Sequence, residues 1–312
     1  RQRPVGRVAG VARDLPYVDE VFVFEAEHPW LNLFANLKNI LELRKLRIDL
    51  GINMRTLVSW SSARKVKFIL GLISPRIKAG RDTSGRGDFF DIKIPEEDIG
   101  DKYEMEYDLE MVRALGAKAD SNQIDFVIEP GSSKTIDNIL KDNGIKESDI
   151  LIGIHPGCKP SHRWPLGNFV EVMKTIQQKT GAKFFVTGSL DEAKLAESLL
   201  RKSGINGLNL SGKLTIRELA AVLKRCNLYI TNDTGSMHIA AILRRPLVAV
   251  FGPGYISRYD PRHIDPNAAV LYKKIYCAPC NKEQCLPLVC LKAISVEEVV
   301  EKSVRLLERN TG

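Results

Sequence analysis

The sequence predicts an α/β protein with a parallel, helix-flanked sheet in each of two halves. Three observations carry this. Short apolar runs alternate with amphipathic helical runs along the chain, the pattern of repeated βαβ units. Several apolar runs end in polar turn residues that open a helix directly, as the carboxyl ends of buried parallel strands do. The chain has 312 residues, enough for two separate cores.

In the first half, Val18–Phe24 reads as a strand and Leu31–Arg47 as an amphipathic helix. Ile48–Asn53 is a strand, and Ser59–Leu72 a helix rich in Arg and Lys. Gly80–Asp88, with three glycines and several charges, reads as a mobile loop. Tyr103–Leu115 is a helix closed by Gly116, and Ile124–Ile128 a further strand. Glu129–Asp149 is rich in Gly, Ser, Lys and Asp; it is expected to hold the domain junction and one short helix. The domains are placed at residues 1–130 and 131–312.

The second half is cleaner. Ile150–Ile154 is a strand, followed by a helix over Pro165–Lys179 with Pro at its first turn. Lys183–Thr187 is a strand and Asp191–Lys202 a helix. Thr215 and Glu218 form a capping box for a helix ending near Lys224. Leu228–Thr231 and Leu247–Phe251 are buried strands on either side of a helix opened by Asp233, Thr234 and Gly235. A loop, a cysteine-rich segment and a last helix opened by Ser295 complete the chain.

Composition bounds the function. Hydrophobic residues make up 44% and charged residues 27%, as in globular proteins, and no apolar run approaches a membrane span. The net charge of +8 favours anionic partners. Basic residues are dispersed and no zinc-finger, homeodomain or RNP-type motif is present, which points to small or lipid-linked anions rather than nucleic acid. The chain begins at Arg1 rather than Met, so the native start is expected upstream.

Three strand-to-helix junctions concentrate polar groups. At the first, Gly235 allows close backbone approach, the helix N-terminus suits a phosphate, and His238 projects from the first turn. A plain helix cap by Asp233 or Thr234 is the competing reading; it needs only one of the polar residues present there. The second, His155–Pro165, has a Pro156–Gly157 turn followed by Lys159, His162 and Arg163 where a phosphate would lie. The third runs from Thr187 and Gly188 to Asp191 and Glu192, carboxylates suited either to sugar hydroxyls or to the helix dipole. Asn209–Leu214 is a fourth loop on the same edge. Cys277, Cys280, Cys285 and Cys290 form a C-x2-C-x4-C-x4-C array compatible with structural zinc, an iron–sulfur cluster or reduced thiols.

His155–Gly157, Arg163–Pro165, the Thr187–Gly188 turn, Ser211–Leu219, Thr231–Ala241 and Val250–Pro253 together resemble the family 9 glycosyltransferases, the lipopolysaccharide heptosyltransferases and their relatives. Leu15–Val21 and the Cys277–Cys280 segment are similar to other parts of that family. The resemblance implies a GT-B fold, with two Rossmann-like domains facing across a cleft. The N-terminal domain would take the acceptor and the C-terminal domain the donor. It further implies an inverting transfer of heptose from ADP-heptose to an anionic glycolipid, without metal or other cofactor in the chemistry. The setting implied is bacterial and cytoplasmic, peripheral at the inner face of the membrane.

Carried over, Asp233 and His238 would stabilise donor and diphosphate, with Thr234, Gly235, Ser236 and Met237 completing that motif. Gly157 and Cys158 match a phosphate loop, with Lys159, His162 and Arg163 beside it and the Gly188 turn nearby. Glu192 falls near a ribose carboxylate and Leu214 near a base contact. Arg55, Arg64 and Arg81 are the acceptor-side candidates. Relatives often carry Lys two residues before the Trp, where this chain has His162. The first strand and the Gly-Asp loop that supplies the general base are expected upstream of Arg1.

Overall fold

A computed structural model describes residues 33–118 and 126–310, together with 9, 12, 15, 17–24 and 124. The chain divides into two units, residues 1–122 and 123–312.

The first unit has a three-stranded parallel sheet. α1 (Leu33–Lys45) leads to the edge strand β1 (Leu50–Asn53), then α2 (Trp60–Ile73), β2 (Ile77–Thr83), β3 (Ile92–Glu96) and α3 (Glu104–Ala114). The strand order is β1-β2-β3. Ser59 and Ser62 close a reciprocal capping box at the start of α2, and Ser74 ends that helix in the left-handed region. Ala79 and Ile94 meet Tyr107 and Met111 of α3 on one side, while Leu57, Ala63 and Phe90 cluster separately.

Three expectations are corrected here. Val18–Phe24 forms no strand; the Val23 carbonyl instead accepts from the Asn39 side-chain amide at 2.9 Å. Of Ile124–Ile128, residues 124 and 126–128 are described and also form no strand; Ile124 and Val127 remain exposed, with no sheet face to bury them. Gly80–Asp88 is not wholly a loop, because Gly80 to Thr83 belong to β2. Charge hides this strand from a hydropathy reading. Arg81 is fully buried and its guanidinium is held by Glu104 (2.8 Å) and Asp108, so a charged residue occupies an inward position as half of an ion pair. Gly80 is required by packing: a Cβ there would lie 2.2 Å from the Phe90 ring.

The second unit opens with α4 (Pro130–Asp142) and then builds a six-stranded parallel sheet. In chain order follow β4 (Leu151–His155), α5 (Leu166–Thr180), β5 (Lys183–Val186), α6 (Ala193–Ser203), β6 (Leu208–Asn209) and α7 (Ile216–Arg225). Next come β7 (Leu228–Asn232), α8 (Gly235–Ile242), β8 (Leu247–Phe251), α9 (Ile256–Tyr259), β9 (Ala269–Tyr272), α10 (Val289–Lys292) and α11 (Val296–Asn310). β7 and β8 are buried at every residue, which explains their unbroken apolar runs. On one face of this sheet Ile152, Phe184, Ile230 and Val248 pack with Trp164, Phe169 and Val299 in a single core. Among the described residues no helix is long and apolar enough to cross a membrane.

The strand order, β6-β5-β4-β7-β8-β9, locates the site. From β4 the chain winds outward to β6, then returns to β7 beside β4 and winds the other way. The reversal lies between β4 and β7. There the loops leaving two neighbouring strands diverge and open a crevice at their carboxyl ends.

Candidate functional site

The two loops at that crevice are stitched together by Asn232, the fully buried last residue of β7. Its Oδ1 accepts from the Trp164 backbone N–H at 3.0 Å, and its Nδ2 donates to the carbonyls of Pro156 (3.0 Å) and Gly157 (3.1 Å). One carboxamide therefore ties both ends of the β4–α5 loop to β7. Trp164, buried, anchors the far end by donating from Nε1 to the Ile294 carbonyl at 3.1 Å.

Beyond Asn232 the chain turns into α8. Thr234 occupies the N-cap position but makes no side-chain cap bond; its hydroxyl lies 2.9 Å from Ser236 Oγ and 3.3 Å from Thr231 Oγ1. Asp233 does not cap either. Its backbone N–H donates to Val250, its carbonyl accepts from Cys158 Sγ at 3.2 Å, and its carboxylate lies over Gly254, where a Cβ would stand 2.5 Å from Oδ2. The N-terminal amides of α8 are thus left without a side-chain acceptor, and Gly235 is exposed with open space around the position of a Cβ. An uncapped helix start beside glycine turns suits an anion.

Glu192 approaches from the third loop. Its carboxylate accepts from Ser189 N–H at 2.8 Å and lies 3.7 Å from Arg163. It rests on Gly157 so closely that a Cβ there would meet it at 2.3 Å. Gly188 leaves room for both Glu192 and Ser211. Ser211 Oγ is buried with no partner in the protein. Leu214 is half-buried just after the left-handed turn at Gly212.

Beneath these loops runs a chain of hydroxyls. His155 Nδ1 lies 3.0 Å from Thr187 Oγ1, which lies 2.8 Å from Tyr229 OH, and Tyr229 in turn bonds Ser236. It links β4, β7 and the residue just after β5 to the start of α8. Burial drives the His155 pKa down to about 4 despite Glu192 nearby, so at neutral pH the ring is a neutral hydrogen-bonding group. Burial also lowers His238, whose ring stands edge-on to Tyr259 at 6.3 Å, and raises Cys158 to about 11, leaving it a thiol.

Other expected donor residues are distributed unequally. Lys159 is exposed and 3.6 Å from Glu283; Arg163 donates from Nε to the Cys158 carbonyl and shapes the loop. His162 is not a free cation, because it is buried, bonded to Ser161 and Asn281, and lowered by burial. The Met237 side chain lies in the core, so that residue can meet a ligand only through its backbone. Ser236 is buried but its hydroxyl joins the chain described above. In the first unit Arg55 and Arg64 are exposed, whereas Arg81, sequestered by Glu104 and Asp108, is unavailable to an acceptor.

The four cysteines line one cavity of about 850 Å³ without converging; among the described residues no three His, Cys, Asp or Glu side chains gather as a metal site. Their segment braces the crevice instead. The N–H groups of Cys280 and Asn281 donate to the Pro253 carbonyl, and Ser161 Oγ donates to the Lys282 carbonyl at 2.5 Å.

A parallel α/β unit with glycine turns and an uncapped helix at its topological switch belongs to the doubly wound class, in which ligands bind at that crevice. Residues 38–289 match the family model described as glycosyltransferase family 9 (heptosyltransferase), and the chain belongs to that family. Lipooligosaccharide heptosyltransferase 2 of Campylobacter jejuni is 30% identical over 167 residues, covering 51% of this chain and 52% of that protein. Lipopolysaccharide heptosyltransferase 2 of Escherichia coli K12 is 31% identical over 109 residues, covering 33% and 31%. The chain thus spans about half or less of the length of these curated relatives. Among solved structures, a family 9 glycosyl transferase from Veillonella parvula superposes with a TM-score of 0.76 at 22% identity, covering 97% of this chain and 86% of that one. E. coli ADP-heptose heptosyltransferase II gives 0.66 at 20%, covering 88% and 81%. The GT-B class read from the sequence is the fold of these structures.

Two outcomes follow from the geometry. Asn232→Asp puts an acceptor against two carbonyls; with about 1–3 kcal/mol for each buried group left unsatisfied, the melting temperature should fall by several degrees. Unchanged melting would show that Asn232 does not hold the loops. Asp233, with its pKa raised by burial from 3.8 to about 6, keeps its proton more tightly folded than unfolded. Its protonated form therefore favours folding fully below 3.8, and that advantage is lost as pH rises through about 6. Asp233→Asn should melt higher than the wild type at neutral pH, the gap closing as the pH falls; lower melting at neutral pH would mean the carboxylate stabilises the fold, as a cap does.

Proposed function

We propose that this protein is an inverting glycosyltransferase that moves a heptose from ADP-heptose onto an anionic, lipopolysaccharide-type glycolipid. The observation that carries this reading is the meeting of Gly157, Glu192, Asp233 and the uncapped start of α8 at one sheet edge. The family and the names of the relatives supply the substrate class.

The donor's diphosphate would lie against the amides of Thr234 to Ser236 and the Gly157 turn, with Arg163 and Lys159 supplying positive charge. Glu192 would take the ribose hydroxyls and Leu214 the base. The acceptor hydroxyl attacks the anomeric carbon from the face opposite the diphosphate, and the bond from that carbon to the phosphate oxygen breaks. A general base must take the hydroxyl proton, and the helix start and cations stabilise the charge gathering on the departing ADP. Neutral His238 would donate a hydrogen bond rather than a charge. Asp233, half-buried beside Gly254, would hold sugar hydroxyls.

Residues 1–130 would serve the acceptor, through Arg55 and Arg64, and residues 131–312 the donor. The work would be done in the cytoplasm at the inner membrane face. Fixed protein groups around the diphosphate make a bridging metal unnecessary, and zinc at the cysteine array would be structural. Incubating the protein with ADP-heptose and a heptose-deficient lipopolysaccharide acceptor should give glycosylated product with the anomeric centre inverted, undiminished by EDTA. Turnover only with a UDP- or GDP-linked sugar would overturn the donor assignment. Loss in EDTA with recovery on magnesium would overturn the metal-free mechanism.

A further inference from the structure

Helix α2 presents two faces of opposite character. Ala63, Val66 and Leu70 turn inward, against Leu57, Phe89 and Phe90. The face turned away carries Trp60, Arg64, Phe68 and Gly71, spaced i, i+4, i+8 and i+11, all exposed. Trp60 is 61% exposed and Phe68 66%, and Val58, just before the helix, is 62%. Exposed Lys65 and Lys67 flank the stripe, the Lys67 ammonium standing 5.7 Å from the centre of the Phe89 ring. The helix contains no acidic residue.

One exposed aromatic means little. Two on one stripe, separated by an arginine and bordered by lysines without a carboxylate, match a helix lying in a lipid–water interface. Among the described residues no hydrogen bond explains the exposure of Trp60, and Phe68 has no polar group to make one; their chemistry suits the acyl–headgroup boundary. Arg64, Lys65 and Lys67 sit at the level where lipid phosphates would be.

We propose that the outer face of α2 docks on an anionic phospholipid bilayer. The inference rests on the reading of the acceptor as membrane-borne, and adds to it the surface that holds the enzyme there. Ring insertion would supply apolar area and the cations would supply attraction to the headgroups. Each basic residue near such a surface is worth about fivefold in binding and is screened by salt.

Co-sedimentation of the protein with vesicles of phosphatidylcholine, with and without phosphatidylglycerol, tests this. Wild-type protein should bind the phosphatidylglycerol vesicles, far less the neutral ones, and be released by salt. Trp60→Ser with Phe68→Ser should weaken binding roughly tenfold or more, since it scales with buried apolar area. Lys65→Gln with Lys67→Gln should remove about fivefold per lysine at low salt, and Lys194→Gln with Lys202→Gln on α6 should change little. Absence of wild-type binding, equal binding to both vesicles, or full binding by the Trp60/Phe68 variant overturns the proposal. Thermal shift by ADP on the same preparations reports the donor reading independently: it should be the same in wild type and the α2 variants, so either reading can fail alone.

Discussion

The second unit depends on one side chain at the point where its sheet reverses direction. A parallel sheet that winds both ways from its centre leaves the loops after β4 and β7 free to diverge, and nothing in the strand ladders prevents the crevice from opening or collapsing. Asn232 sets its width. Its carboxamide has two donor hydrogens and an acceptor, and all are used across the gap, toward Pro156, Gly157 and Trp164. No apolar residue could do this, and a carboxylate would face two carbonyls with nothing to donate.

With that width set, the remaining groups divide into those that hold the frame and those left for a ligand. The hydroxyls of Thr187, Tyr229 and Ser236 satisfy one another from below. His155 and His162 are kept neutral by burial, so neither adds a cation. The α8 amides and the Asp233 carboxylate remain. A carboxyl pushed up to about 6 by burial alone is a cost to the folded chain, and such a cost is usual where a group is held ready for a substrate. The start of α8 adds the complementary potential, favouring negative charge a few ångströms away.

Much of this was legible in the sequence, for a physical reason. β7 and β8 are buried on both faces, so their apolar runs are continuous and their polar ends conspicuous. The Thr215 and Ser295 capping boxes are local and appear with the expected hydrogen bonds. What escaped was what depends on distant partners. β2 was obscured because Arg81 looks like a surface residue until Glu104 and Asp108 are placed beside it. His162 looked like a phosphate ligand until Ser161 and Asn281 enclosed it. The Thr187–Tyr229–Ser236 chain joins residues from a loop, a strand and a helix far apart along the chain, and no spacing along the sequence announces it. Val18–Phe24 and, of the second stretch, Ile124 and residues 126–128 show the reverse: suitable composition without a neighbouring ladder does not make a strand.

The proposed function requires the crevice between β4 and β7 to be a diphosphate site prepared before the ligand arrives. A crystal structure of the protein with ADP tests it most directly. The phosphates should lie within hydrogen-bond distance of the Thr234–Ser236 amides and the Gly157 turn, with the Asn232 bonds to Pro156, Gly157 and Trp164 unchanged. ADP bound elsewhere, or bound there only after those three bonds have broken, would contradict it.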